Sequence, residues 1–380
     1  MAHPFTSTIL KIISKDHEND TDDIFQKSIL IQYLNHKTKS ANRGSKARGS
    51  FGSIYAIYVL VEDYIKNNFH LKGNYSKYVG AKFSDLFKRQ RELPFGSKLQ
   101  NHALNHRMNQ EFRKFFPTSD LTPIIRDVDT NRYWFNQNLL RITVSDNEID
   151  IAPTVISIID EYVNVKRESF DKFIQTCSDL RKISDNEPKE VLKFIVSLLE
   201  PDVDARIFEI VSYAILKYYY HDQEVFFGFS IDEIEKENLK LFKTGRTNAN
   251  DGGIDFVMKP LGRFFQVTET TDVHKYFLDI DKIERFPITF VIKSNEDIET
   301  LKSRLEEEAK KKYIVEIVVN KYISCVEEII NLPILITHLE GSVEQGLLSK
   351  ILDEIITWSK VEFNIEDEFE AEQDPDKIET

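Results

Sequence analysis

The chain has 380 residues, 41% of them hydrophobic, with 63 acidic against 50 basic side chains and a net charge of −13. That is too long for one average domain and apolar enough to bury a core, which excludes global disorder. No apolar run reaches the roughly 18–20 residues of a membrane span, and the first twenty residues lack the apolar stretch and cleavage site of a secretory signal.

Two cysteines, Cys177 and Cys325, lie far apart in the sequence. They give neither a disulfide framework nor zinc spacing, and they fit a reduced cytoplasmic protein. The charge is unevenly spread. Residues 31–114 hold 16 basic and 5 acidic side chains, a local charge of +11 that leaves −24 for the rest. A basic N-terminal part that binds a polyanion, joined to an acidic part, is the expectation.

In chain order, residues 1–185 read as a mainly α-helical, basic domain whose charge suits DNA or RNA. The stretch 36–50, "HKTKSANRGSKARGS", carries Lys37, Lys39, Arg43, Lys46 and Arg48 among Gly, Ser and Asn with no acid, and reads as a basic loop. Cations, hydroxyls and backbone amides together suit phosphate contacts. "FGSIYAIYVLVEDYI" (51–65) is apolar nearly all round, which predicts a buried helix. A second basic stretch, 88–116, adds Lys88, Arg89, Arg91, Lys98 and Arg107. Its amides Gln100, Asn101, Asn105, Asn109 and Gln110 recur at helical spacings, and such side chains can pair with adenine edges. "YWFNQNLLRITV" and "IDIAPTVISI" read as strands. Ser184 and Glu187 have capping-box spacing before an amphipathic helix, and the domain boundary is placed near 185.

Residues 186–360 predict an α/β domain, a mixed sheet flanked by helices. A helix is expected over 204–220 and a strand over 224–230. A hairpin follows, "GGIDFVM" (252–258) and "RFFQVTE" (263–269), joined by "KPLG". Then come a helix (272–286), the central strand "PITFVIK" (287–293), a charged helix (295–312), the strand "YIVEIVV" (313–319), and further α/β elements. Residues 361–380, with nine acids and one lysine, read as a disordered tail.

Asp255 and Gln266 flank the hairpin turn. Alternation along a strand puts Gln266 and Thr268 on one face, Val267 and Glu269 on the other. The oxygens of Asp255, Gln266 and the Val267 carbonyl make a plausible Mg²⁺ site, because Mg²⁺ takes few carboxylates, keeps waters and uses substrate phosphate.

Four ordered segments carry a resemblance: "RIFEIVSYAILKYYY", "TGRTNANDGGIDFV", "FFQVTE" and "DVHKYFLDIDKIERFPITFVI". Together, over roughly residues 190–320, they resemble the PD-(D/E)xK nuclease superfamily and within it the Mrr-type restriction endonuclease domain. The resemblance implies a type II restriction enzyme, an Mg²⁺-dependent endonuclease of double-stranded DNA, and a homodimer. It implies Asp255, Gln266 and Glu209 as metal-site residues. Arg246, Thr247 and Asn248, in the loop before Asp255, either touch a phosphate or simply form a flexible loop.

One departure stands out. The family's lysine after Gln-x is here Thr268, which supplies no cation. Three outcomes stay open: Glu269 swings in as ligand or base, Lys275 reaches back from the next helix, or nothing replaces the lysine. The last leaves a non-catalytic DNA-binding protein. A defence nuclease needing a partner is a further alternative, with the acidic tail as an intramolecular mask.

Overall fold

The computed structural model describes residues 2–41, 51–71, 74–96, 99–244, 254–269, 272–313 and 315–363. The chain divides into two compact units, one holding Met1–Lys172 and the other Phe173–Phe363.

The first unit opens with α1 (Thr6–Asp16), α2 (Thr21–Lys27) and α3 (Ile29–Lys37), followed by α4 (Phe51–Lys66). β1 (Ala81–Lys82), α5 (Phe83–Glu92), a π-helical turn at Ala103–Arg107 and α6 (Met108–Phe115) come next. Two hairpins follow, β2 (Ile124–Asp127) with β3 (Arg132–Phe135), and β4 (Arg141–Val144) with β5 (Asn147–Asp150). α4 is buried along most of its length, as its all-round apolar sequence requires, and forms the spine of the unit's core.

Helices therefore dominate this half, but it also carries a small β1–β3–β2 sheet and a separate β4–β5 ribbon. "IDIAPTVISI" is not one strand. Its first residues end β5, and from Ala152 it belongs to α7 (Ala152–Ile183), where Val155, Ile158, Ile159 and Tyr162 recur at helical spacing in the core.

In the second unit α8 is Pro188–Ser197, with proline in its first turn. No capping box forms there: Glu187 is the cap residue without a side-chain bond, and the Ser184 hydroxyl donates to the Arg181 carbonyl instead. α9 (Ala205–Tyr220) is capped by Asp204, which accepts from the Arg206 N–H. β6 (Glu224–Phe227) and β7 (Glu235–Asn238) form a two-stranded ribbon of their own, so "EVFFGFS" is a strand but not one of the main sheet.

The main sheet has the order β12–β11–β10–β9–β8, with β8 Lys240–Lys243, β9 Phe256–Lys259, β10 Arg263–Thr268, β11 Ile288–Ile292 and β12 Val326–Ile330. β8, β9 and β10 pair antiparallel, whereas β10, β11 and β12 are parallel. The parallel pairings need crossovers. α10 (Val273–Lys282) supplies the first, and α11 (Ile298–Lys312) with α12 (Glu316–Ile323) the second. α13 (Leu332–Glu344) and α14 (Leu348–Phe363) complete the chain of elements. β11 is buried at every position, as befits a central strand covered on both faces.

Two expectations fail here. "YIVEIVV" is not a strand: from Glu316 it enters α12, whose buried Val319 and Tyr322 are three apart while Ile317 faces solvent. Residues 361–363 close α14 rather than opening a tail, and 364–380 lie outside the described residues. The structure is thus mixed α/β, with a five-stranded mixed sheet in the C-terminal half.

Candidate functional site

The two faces of the main sheet carry different chemistry. α9 packs on one face, where Tyr213 meets Phe256 and Tyr220 meets Phe265. α10 and α11 pack on the other, around Tyr276, Phe290 and Ile292. Alternation along β10 sends Phe265 and Val267 toward α9, and Phe264, Gln266 and Thr268 toward α10.

Asp255 lies one residue before β9, level with Gln266 in the antiparallel register. Its backbone is held on both sides: its N–H donates to the Phe265 carbonyl at 2.9 Å, and its carbonyl accepts from the Thr244 N–H at 3.0 Å. Its Oδ2 accepts from the Val267 N–H at 2.7 Å. The carboxylate therefore sits against the strand that carries Gln266 and Thr268.

Gln266 and Thr268 are both buried. The Gln266 Nε2 donates to the Val267 carbonyl at 3.1 Å, and its Oε1 is buried with no hydrogen-bond partner among the described residues. A buried acceptor left unmet costs about 1–3 kcal/mol, which marks this atom as one that a ligand would satisfy. From the first turn of α10, the exposed Lys275 returns to the sheet and its Nζ donates to Thr268 Oγ1 at 3.2 Å. Asp272 caps that helix by accepting from the His274 N–H. Asp255, Gln266, Thr268 and Lys275 are thus brought to one end of β10.

Glu209 and Glu269 are not part of this group. Glu209, on α9, forms a buried ion pair with Lys243 of β8, whose side chain is 1% exposed. The rings of Tyr213, Phe256 and Trp358 surround that ammonium at 5.9, 5.5 and 5.4 Å. Glu209, expected as a metal ligand, is thus paired with Lys243 at the α9 face and is not brought to Asp255 and Gln266. Glu269 points to the same face, where its Oε1 accepts from Lys293 Nζ at 2.7 Å. Lys293 also donates to the Val203 carbonyl at 2.8 Å and lies over the Phe208 ring.

Lys243 and Lys293 were missed in the sequence. The available signal was a lysine at the end of a strand, "KLFK" and "ITFVIK", where the apolar context buries the side chain and obliges it to find an acid.

Of the described basic residues proposed for DNA, two are already matched by acids. Lys37 meets Glu111 at 2.5 Å in a cluster where Tyr33 and Ser53 also donate to that carboxylate. Arg89 grips Glu62 through two nitrogens, both at 2.9 Å. Lys39 and Arg107 are exposed, Lys88 is loosely paired with Glu92 at 3.9 Å, and Arg91 lies over the Phe87 ring. Arg43, Lys46, Arg48, Lys98, Arg246 and Asn248 lie outside the described residues. Two of the amides proposed as base readers are committed internally: Asn109 clasps both backbone groups of Ile124, and Asn105 accepts from the Tyr133 hydroxyl.

Among the described residues no group of three or more His, Cys, Asp or Glu side chains gathers to hold a metal. No described helix is long and apolar enough to cross a membrane. No family model matches the chain, and no curated protein or solved structure is similar to it.

Proposed function

We propose that the second unit is a PD-(D/E)xK-type nuclease and that the protein is an Mg²⁺-dependent endonuclease of double-stranded DNA, a restriction enzyme of type II character. The observation that carries this reading is the Lys275–Thr268 hydrogen bond. It brings an ammonium to the strand position where the family's motif lysine would begin, on the same face as Gln266, and the Asp255 carboxylate binds the N–H of the preceding residue of that strand.

The residues present fit a hard cation only in part. The Asp255 carboxylate and the orphaned Oε1 of Gln266 are oxygen donors of the right kind, whereas Glu209 is withdrawn. One carboxylate and one amide suit Mg²⁺ when substrate phosphate and waters complete its shell. A cation bound there would activate water and neutralise phosphate charge. Asp255 would hold it, Gln266 would complete the protein's share, and Lys275 would steady the attacking water and the charge that develops on phosphate. The N-terminal unit would engage the DNA backbone through exposed cations such as Lys39 and Arg107.

The test is digestion of varied plasmid and phage DNA, modified DNA included, with Mg²⁺. Discrete fragments that vanish in Asp255→Ala support the reading. A lack of fragments across the panel counts against it, and cutting that survives Asp255→Ala removes this site.

A second reading is a non-catalytic DNA-binding protein, favoured by the withdrawal of Glu209 into its pair with Lys243. It predicts binding whose log K falls linearly with log salt, without cutting and without response to divalent metal. A defence nuclease that cuts only with a partner protein is a third reading, supported so far by the sequence alone.

A further inference from the structure

Among the described residues, the β6–β7 ribbon pairs with no strand of the second unit's main sheet. Such a two-stranded ribbon is marginal by itself, because three strands or a covering element are normally needed. Every residue of β7 is exposed, and β6 alternates exposed and half-buried. Phe226 is 76% exposed, and just beyond the strand Phe229 is 93% exposed.

The ribbon is nonetheless well defined. Its register runs from Glu224 opposite Asn238 to Phe227 opposite Glu235, and Lys236 bridges to Glu224 at 2.7 Å. Gly228 lets the tip close, since a Cβ there would lie 2.4 Å from the Glu233 carbonyl oxygen.

The two edges differ. β7 is "EKEN", the charged kind of edge that blocks pairing. β6 is "EVFF", apolar after its first residue, and no described strand pairs with its outer edge. We infer that this edge is an interface between two copies of the chain, β6 pairing antiparallel with β6 of the second copy.

Charge disposition selects that occupant. With Phe226 opposite the same residue of the second copy, Val225 falls opposite Phe227 and Glu224 opposite Gly228. No like charges oppose one another, and the acids of β7 lie on the two outer edges of the resulting four-stranded sheet. Paired residues share a face, so the two Phe226 rings meet and cover each other. A DNA strand does not suit the same surface, because residues 224–238 carry five acids and one lysine. The inference does not depend on the nuclease reading.

The full-length protein tests it. So small an interface implies a dissociation constant of roughly tens of micromolar, so light scattering on protein eluting well above that concentration should approach twice the chain mass. Phe226→Lys should return it to the chain mass while leaving the melting temperature unchanged. Both native cysteines are buried, so a single introduced cysteine reports cleanly. Phe226→Cys should cross-link under mild oxidation, whereas Lys236→Cys, across the ribbon on the other edge, should not. A wild-type chain that stays monomeric, a dimer that Phe226→Lys leaves intact, or equal cross-linking at both positions would each overturn the inference.

Discussion

Lys275 and Thr268 are seven residues apart, on a helix and the strand before it, yet the Lys275 ammonium donates to the Thr268 hydroxyl at 3.2 Å. The strand position that should carry a cation has one delivered to it from the next element. If that cation does the work of the missing motif lysine, moving it back should be tolerated. Lys275→Ala should lower DNA cleavage by roughly 10²–10³-fold, the usual loss for removing one charge-stabilising group. Adding Thr268→Lys to Lys275→Ala should recover a measurable part of the rate in single-turnover assays. No recovery, in a double variant that melts like the wild type, would argue that the site needs Lys275 for something other than its charge.

Asp255 has a structural duty as well as a chemical one, since its Oδ2 satisfies the Val267 N–H. Asp255→Asn keeps an oxygen acceptor there and should cost less than about 1 kcal/mol of stability, while Asp255→Ala should cost about 1–3 kcal/mol by leaving that N–H unmet. Both should abolish metal-dependent cutting. Urea unfolding of the two variants separates the roles: equal stability losses would show that the hydrogen bond contributes nothing.

The Glu209–Lys243 pair is buried among Tyr213, Phe256 and Trp358. Glu209→Gln alone should strip the Lys243 ammonium of its counter-charge and destabilise the protein by about 3–5 kcal/mol. Lys243→Met with Glu209→Gln should be markedly less damaging, because no buried charge is then left unpaired. Thermal melts of the two singles and the double form the cycle. Strict additivity would contradict a direct pair.

Glu111 links α6 to Lys37 and Ser53 at the two ends of the basic loop region, and also accepts from Tyr33. Burial opposes its charge, but the Lys37 ammonium and the two hydroxyls outweigh that and hold its carboxyl below the usual glutamate range. A carboxylate depressed in the folded state adds stability above its unfolded pKa and loses it as pH falls through the folded one. The wild type should therefore lose stability from about pH 5 downward, with a shallower slope in Glu111→Gln. Parallel slopes in denaturant melts between pH 7 and pH 3 would remove Glu111 from that account.

The sequence conveyed most where local pattern and tertiary role agreed. The all-round apolar run over 51–65 and the apolar stripe over 204–220 became α4 and α9, and β9–β10 formed the hairpin around "KPLG". It misled where β-branched residues stood in a helix: Ile317 and Val318 favour a strand by propensity, but burying Val319 with Tyr322 wins. β7 and β8 escaped notice because charges interrupt them. Within the site, alternation along β10 assigned Gln266 and Thr268 to one face and Glu269 to the other. The partners of Glu209 and Glu269 were hidden because Lys243 and Lys293 lie 34 and 24 residues away in the chain. Only the sheet brings them together.

The most direct test is cleavage of a broad DNA panel with Mg²⁺ by the wild type and Lys275→Ala side by side. The account predicts discrete fragments from the wild type and a loss of roughly 10²–10³-fold in rate from the variant. Equal cutting by both proteins, or metal-independent binding without any cutting, would contradict it.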